Sequence, residues 1–147
     1  MNVYKFLIRI IIPVFILAGC AGSDEKNKAD EAVLLKHEII EELLDNPGLD
    51  SYFYIDIFPQ RKPLVIVSNG LFQAEPGLTK FGRPVIVLDD KRLVDPGKPY
   101  LDIISLNIED NLAEVRFSYP PEGIVGTLLF QVTGEKLNLI GQSIIER

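Results

Sequence analysis

The sequence predicts an α+β domain in which one amphipathic helix packs on an antiparallel β-sheet. Three observations predict this fold: one helical pattern precedes all strand patterns, the strand patterns are β-branched and aromatic, and short turns join the last four. The chain has 147 residues, a formal net charge of −6, one Cys, one His and no Trp. This length is room for one domain, and a single Cys excludes a fold held by internal disulfides.

An apolar segment precedes the domain. Residues 1–19 contain two cations, Lys5 and Arg9, and no acids, and an apolar run at 10–17 leads to two small residues. This order is typical of an export signal. The apolar run is far shorter than the ~20 residues that span a bilayer as a helix, so a transmembrane anchor is the weaker interpretation.

The end of this segment, Leu17-Ala18-Gly19-Cys20, resembles the lipobox of bacterial lipoproteins. The resemblance implies that residues 1–19 are removed as a signal peptide and that Cys20 carries acyl chains, such as palmitate, which anchor the protein in the lipid bilayer. In that class the residue after the Cys directs sorting, and Ala21 implies the outer membrane, facing the periplasm. The alternative is an ordinary secretory signal with a chance Cys.

Residues 20–31 are predicted to form the lipidated Cys and a flexible tether, because they contain no large apolar residue and mix both signs of charge. Residues 32–147 are predicted to form the single α+β domain. Loss of Lys5 and Arg9 with the signal changes the net charge from −6 to −8. An acidic surface argues against a nucleic-acid partner, for which a basic stripe is expected.

The amphipathic helix is predicted from about Glu31 to Asp45, with Asp30 as its N-cap. Val33, Ile40 and Leu44 fall on one side, with Ile39 and Leu43 adjoining. The segment Asn46-Pro47-Gly48 is expected to end the helix, because the residue before a proline resists the α conformation.

Strands are predicted after the helix wherever β-branched and aromatic runs are bounded by turn residues. Their predicted ranges are 52–58, 64–68, 84–88, 101–109, 112–119, 124–133 and 137–145. Short turns join the last four, which predicts an antiparallel meander with one buried face.

This order of elements, with the corner SYPPEG between two long strands, resembles the cystatin-like or NTF2-like layout of small bacterial lipoproteins. The resemblance extends over roughly Asp30 to Arg147 and implies a curved antiparallel sheet that wraps the helix. A β-sandwich with the helix at one edge is the alternative.

Groups suited to catalysis are scarce. His37 is predicted at the border of the apolar stripe, and one His with a lipidated Cys provides no zinc site. Asp89, Asp90 and Asp95 lack the spacing of an EF-hand loop and are interpreted as caps of strand ends and turns. Phosphate-binding glycine motifs and hydrolase motifs are absent from the sequence, so we predict no catalytic residue, cofactor or metal.

Two segments are candidates for recognition of a partner. The first predicted strand carries three aromatic residues on one side, and the long segment 69–82 carries apolar residues between Gly and Pro breaks. The candidate surface consists of Tyr52, Tyr54, Phe58, Leu71, Phe72 and Phe81. The alternative is that the strand is covered on both faces and that the segment is a hairpin folded back on the core.

These patterns favour a non-enzymatic binding or accessory module that contacts an envelope protein or a small apolar ligand. The alternative is a small NTF2-like enzyme or ligand carrier, with His37 or an acid such as Asp56 lining a pocket between helix and sheet.

Overall fold

The computed structural model describes the backbone of residues 22–73, 76–134 and 136–147, and side chains from Lys26 onward. The predicted signal peptide, Cys20 and the start of the predicted tether lie outside the described residues. The helices are α1 (Gly22–Leu44) and α2 (Pro47–Phe53). The strands are β1 (Val65–Val67), β2 (Thr79–Lys80), β3 (Arg83–Pro84), β4 (Ile86–Leu88), β5 (Leu101–Glu109), β6 (Leu112–Tyr119), β7 (Ile124–Thr133) and β8 (Lys136–Glu146).

Helix α1 begins at Gly22, well before the predicted start near Glu31, so most of the predicted tether is helical. The segment contains Lys28, Ala29 and Glu31, which are all good helix formers. Its lack of apolar residues predicts exposure, and residues 26–33 are exposed, but exposure does not prevent a helix from continuing. The C-terminal end at Leu44 lies one residue from the predicted end.

The segment Asn46-Pro47-Gly48 ends α1 and also begins α2. The Asn46 side chain accepts a hydrogen bond of 2.8 Å from the Gly48 amide, and Pro47 occupies the first helical position, where it leaves no donor unpaired. The predicted strand at 52–58 is therefore wrong. Its first residues close α2, and Tyr54 then adopts a left-handed conformation with a φ of 45°.

The main sheet has the strand order β4-β1-β5-β6-β7-β8. Strands β5 to β8 form the predicted antiparallel meander, and β5, β6 and β7 have the predicted bounds. The parallel pairing of β1 with both β4 and β5 was not predicted, because those partners are distant in the chain. The α+β class is confirmed, and the described strands form one six-stranded sheet and one hairpin rather than the two facing sheets of a sandwich.

The core lies between α1 and one face of the sheet. Ile39, Ile40, Leu43 and Leu44 are at most 1% exposed, whereas Val33, also predicted on this stripe, is 39% exposed. The facing strands contribute alternate residues, among them Val115, Phe117, Leu128 and Phe130. Only the C-terminal half of α1 is therefore buried against the sheet.

The described residues of the segment 69–82 pack on the core, and its last residues belong to a hairpin of β2 and β3, which agrees with the alternative interpretation of this segment. Phe72 and Leu78 are buried in the core, and Leu71 and Phe81 are partly buried against it. Lys80 is also buried, and its ammonium group donates to the Leu44 carbonyl and pairs with Asp50. The hairpin is thus attached to both helices.

Candidate functional site

The six residues predicted as one recognition surface do not form one exposed face. Tyr52, Leu71 and Phe81 pack against the core, and Phe72 is 5% exposed. Tyr54 and Phe58 are the exposed members, at 41% and 38%. The common face was predicted on the assumption that residues 52–58 form a strand. In the structure these residues are the end of α2 and the turn that follows it. Two of the six residues are therefore available to a partner, and one of them, Phe58, borders a cleft.

This cleft, which we call the Arg61 cleft, has a volume of about 610 Å³. Small-molecule pockets in proteins typically have volumes of ~300 to 1,000 Å³. The residues that define it come from three separate segments and are Phe58, Arg61, Lys98, Tyr100, Pro120 and Pro121.

Two short 3-10 turns, Pro59–Arg61 and Pro120–Glu122, supply residues that line the cleft. Each turn begins with proline, whose fixed φ suits a first helical position. The second turn is the corner predicted from the SYPPEG segment, and Gly123 closes it with a φ of 66°. Rigid turns at both sides preserve the shape of the cleft.

Arg61 is held in place from several directions. Its Nη1 donates to the Phe53 carbonyl over 3.0 Å, and its Nη2 lies 2.6 Å from the Glu122 carboxylate. The guanidinium carbon lies 4.4 Å from the centre of the Phe58 ring, a cation–π distance. The side chain is 12% exposed and uses two of its five N–H donors in these bonds, so the charged group is fixed with donor capacity remaining.

Tyr119 lies close to both Arg61 and Phe53. It is fully buried, its ring centre is 5.0 Å from that of Phe53, and it lies 5.9 Å from the Arg61 guanidinium carbon. Its hydroxyl has no hydrogen-bond partner among the described residues. Burial raises the pKa of the Tyr119 hydroxyl, because a phenolate is poorly solvated there.

We expect Tyr119→Phe to leave stability at neutral pH unchanged or to raise it by up to ~1 kcal/mol, since it removes a buried hydroxyl without a partner. The raised pKa of Tyr119 leads to a second expectation, which concerns how stability depends on pH. The folded state holds this proton more tightly than the unfolded chain, where the tyrosine pKa is about 10. That contribution to stability is complete below pH ~10 and is lost as the pH rises through the folded pKa.

Urea unfolding of both proteins between neutral pH and pH ~11 tests this expectation. The wild type should lose more stability than Tyr119→Phe across the alkaline part of the range. Tyr54→Phe is the matched control, because that residue is 41% exposed. A clear loss of stability in Tyr119→Phe at neutral pH would show that the hydroxyl has a partner.

His37 lies in a different groove, with a volume of about 480 Å³, that also contacts Asp30, Gln73 and Pro76. Its Nε2 is 3.4 Å from the Glu41 carboxylate, and the side chain is 13% exposed, as predicted for the border of the apolar stripe. Among residues 22–73, 76–134 and 136–147, no cluster of three or more His, Cys, Asp or Glu is placed to hold a metal ion.

The carboxylates near residue 90 have local partners. Asp90 caps the turn Lys91–Leu93, accepting a hydrogen bond of 2.8 Å from the Arg92 amide. Hydrogen bonds from the Arg92 side chain and amide lower the Asp90 pKa to about 2. Asp89 accepts from the Ser68 hydroxyl over 3.1 Å. These partners agree with the interpretation of both residues as caps.

The pocket predicted between helix and sheet by the alternative hypothesis is filled along 39–44 by core side chains. Open grooves flank the N-terminal half of α1 instead. One of them is lined by Glu31, Leu35, Asp110 and Gly134, so this half of α1 lies beside the β5–β6 and β7–β8 turns. The Arg61 cleft adjoins the β6–β7 corner and is therefore at the opposite end of the strands.

Arg61, Tyr100 and the prolines of the cleft are not among the residues predicted from the sequence. A signal was nevertheless present, because each of the three segments contains an aromatic residue next to a proline. These pairs are Phe58-Pro59, Pro99-Tyr100 and Tyr119-Pro120. An aromatic residue next to a proline presents a rigid apolar surface. Three such pairs favour a binding surface over a solvated loop.

Comparisons with known protein families, curated proteins and solved structures found no match to this chain. Within the described part of the chain, no helix is both long and apolar enough to cross a membrane.

Proposed function

We propose that this chain is a lipid-anchored envelope protein that acts as a binding module through the Arg61 cleft, without catalysis. Support for the anchor comes from Leu17-Ala18-Gly19-Cys20 at the end of an export-type segment. Ala21 favours the periplasmic side of the outer membrane. The net charge of −8 expected after processing disfavours adsorption to anionic lipid, so acyl chains on Cys20 provide the attachment.

The observation that carries the binding proposal is the fixed Arg61 guanidinium beside aromatic and proline surfaces. Phe58 and Tyr100 offer flat apolar contacts, and Lys98, 40% exposed, adds a cation at the rim. Such a cleft suits an apolar group that carries a negative or hydrogen-bond-accepting substituent, either in a small ligand or on an envelope protein. The cleft and the N-terminal end of α1 lie at opposite ends of the strands, so binding does not compete with anchoring.

The finer fold assignment is also a proposal. A helix covered by a C-terminal antiparallel meander supports a cystatin-like or NTF2-like arrangement. The parallel strand β1, inserted between β4 and β5, is a departure from an all-antiparallel sheet. The alternative function, a small enzyme or ligand carrier, requires an enclosed pocket, which the packed residues 39–44 do not leave.

Binding can be tested with the fluorescent dye anilinonaphthalene sulfonate, an aromatic anion that matches the chemistry of the cleft. The mature chain with Cys20→Ser, which cannot be acylated, is titrated with the dye. We expect Phe58→Ala to weaken binding about ten-fold, because it removes an aromatic wall. Tyr54→Ala is the control, since Tyr54 is similarly exposed but lies outside the cleft.

Equal affinity of the two alanine variants, both verified as folded, would contradict the cleft as the binding site. The anchor is tested separately by mass spectrometry of the protein from its native membrane. We expect an N-terminal peptide that begins at Cys20 and carries acyl chains. A peptide that retains residues before Cys20, or an unmodified Cys20, would contradict the anchor.

A further inference from the structure

Strand β8 forms one edge of the main sheet and is eleven residues long. No described strand pairs with its outer side, so about half of its backbone N–H and C=O groups point away from β7 without a partner strand. The other edge is formed by β4, which has only three residues. A strand of three residues has few free backbone groups with which another strand can form hydrogen bonds. The β8 edge is therefore much better suited than the β4 edge to pairing with another strand.

The composition of β8 makes its edge more open to pairing. Residues 137–145, LNLIGQSII, contain neither a charge nor a proline, which are two of the devices that commonly protect an edge. Leu139, Ile140 and Ile145 are 46%, 52% and 58% exposed. The β7–β8 register is interrupted once, at Ile140, which has no partner on β7 between the pairs Leu129–Gly141 and Phe130–Leu139, so the two arms of β8 on either side of Ile140 are the regular parts of the edge.

Charge complementarity identifies the occupant. Among residues 136–146 the only charged side chains are Lys136 at one end and Glu146 at the other. If two copies of β8 pair antiparallel, Lys136 of each copy lies close to Glu146 of the other. If they pair parallel, like charges face each other at both ends. Opposite charges facing across strands stabilise a pair and like charges destabilise it.

We propose that two copies of this chain associate through their β8 strands, antiparallel and about a two-fold axis near Gly141, to form one continuous twelve-stranded sheet. Such an axis is perpendicular to the sheet and keeps both α1 helices on the same face. The interface is isologous, so each residue near the axis meets its own copy.

Analytical ultracentrifugation of the mature chain with Cys20→Ser tests the association. We expect a dimer, and Ile140→Lys should weaken it at least ~100-fold, because two like charges then meet near the axis. Leu112→Lys is the matched control, since Leu112 is a 42% exposed apolar residue on β6, away from the edge. Hydrogen exchange should show protection of amides 137–145 in the wild type that Ile140→Lys loses.

The orientation is tested by charge reversal. Lys136→Glu alone or Glu146→Lys alone should weaken the dimer about five-fold, and the double variant should restore it. A wild type that remains monomeric up to ~1 mM would overturn the proposal. A dimer that Leu112→Lys breaks and Ile140→Lys does not, or open-ended filaments, would also overturn it.

Discussion

Replacing Gly126 with alanine is expected to lower the free energy of unfolding by about 2–3 kcal/mol. Gly126 is buried in β7 directly opposite Phe117 of β6. A Cβ at this position would lie 2.7 Å from Cε1 and 2.8 Å from Cε2 of the Phe117 ring, and would also meet Cζ. These distances are far below van der Waals contact, so the ring or the strand must move.

The Phe117 ring has no free space to accept this movement. It is fully buried and belongs to the core that the C-terminal half of α1 covers. Protein cores are packed as densely as organic crystals, so a displaced ring transmits strain to its neighbours. Alanine at Gly126 therefore strains the core face of the central meander.

Urea unfolding monitored by circular dichroism measures the effect. Gly141→Ala is the matched control: Gly141 also lies in the sheet, but its added Cβ would be 3.5 Å from the nearest Leu129 atom, an ordinary contact. We expect the control to change stability by less than ~1 kcal/mol. Equal effects of the two alanines would mean that Phe117 does not occupy the space above Gly126.

Replacing Lys80 with methionine is expected to destabilise the fold by about 2 kcal/mol. Methionine keeps an unbranched apolar chain but lacks the ammonium group that donates to the Leu44 carbonyl and pairs with Asp50. Leu44 is 1% exposed, and its carbonyl belongs to the last turn of α1, where acceptors lack helical partners. Asp50 is 47% exposed and regains water, so most of the loss comes from the buried carbonyl.

Urea unfolding measures this loss, and Lys91→Met, a substitution at an exposed lysine, serves as the control. Hydrogen exchange gives a second readout, because Lys80 attaches the β2–β3 hairpin to the helices. Amides of residues 79–83 should exchange faster in Lys80→Met. Unchanged exchange and stability would contradict a role for Lys80 in holding the hairpin.

The sequence predicts those elements in which apolar and polar residues alternate and only the apolar face is buried. Strand β6 is an example: Ala113, Val115, Phe117 and Tyr119 alternate with polar residues, and they are the residues buried in the core. The turns between β5 and β8 are short, so the order of these strands follows directly from the chain. Periodicity and connection length together determine this half of the sheet.

Other elements depend on information that no local pattern contains. Strand β1 has three residues buried on both sides, and its partners Ile86 and Leu101 come from later segments. Asn46 and Pro47 end one helix and begin the next. Because these residues are typical of a helix end, the sequence gives no sign that α2 follows. The Arg61 cleft likewise combines three segments, each of which is an ordinary turn or loop by itself.

The position of β1 has a consequence for the order in which the chain folds. Strands β5 to β8 pair with their neighbours along the chain, whereas β1 has no partner until β4 and β5 have been made. Contacts between distant residues form late, because the intervening chain must first be ordered. Helix α1 is synthesised first, but its apolar residues are buried only when the sheet has formed. Strand β1 and helix α1 are therefore expected to become fixed only after strands that lie later in the chain have formed.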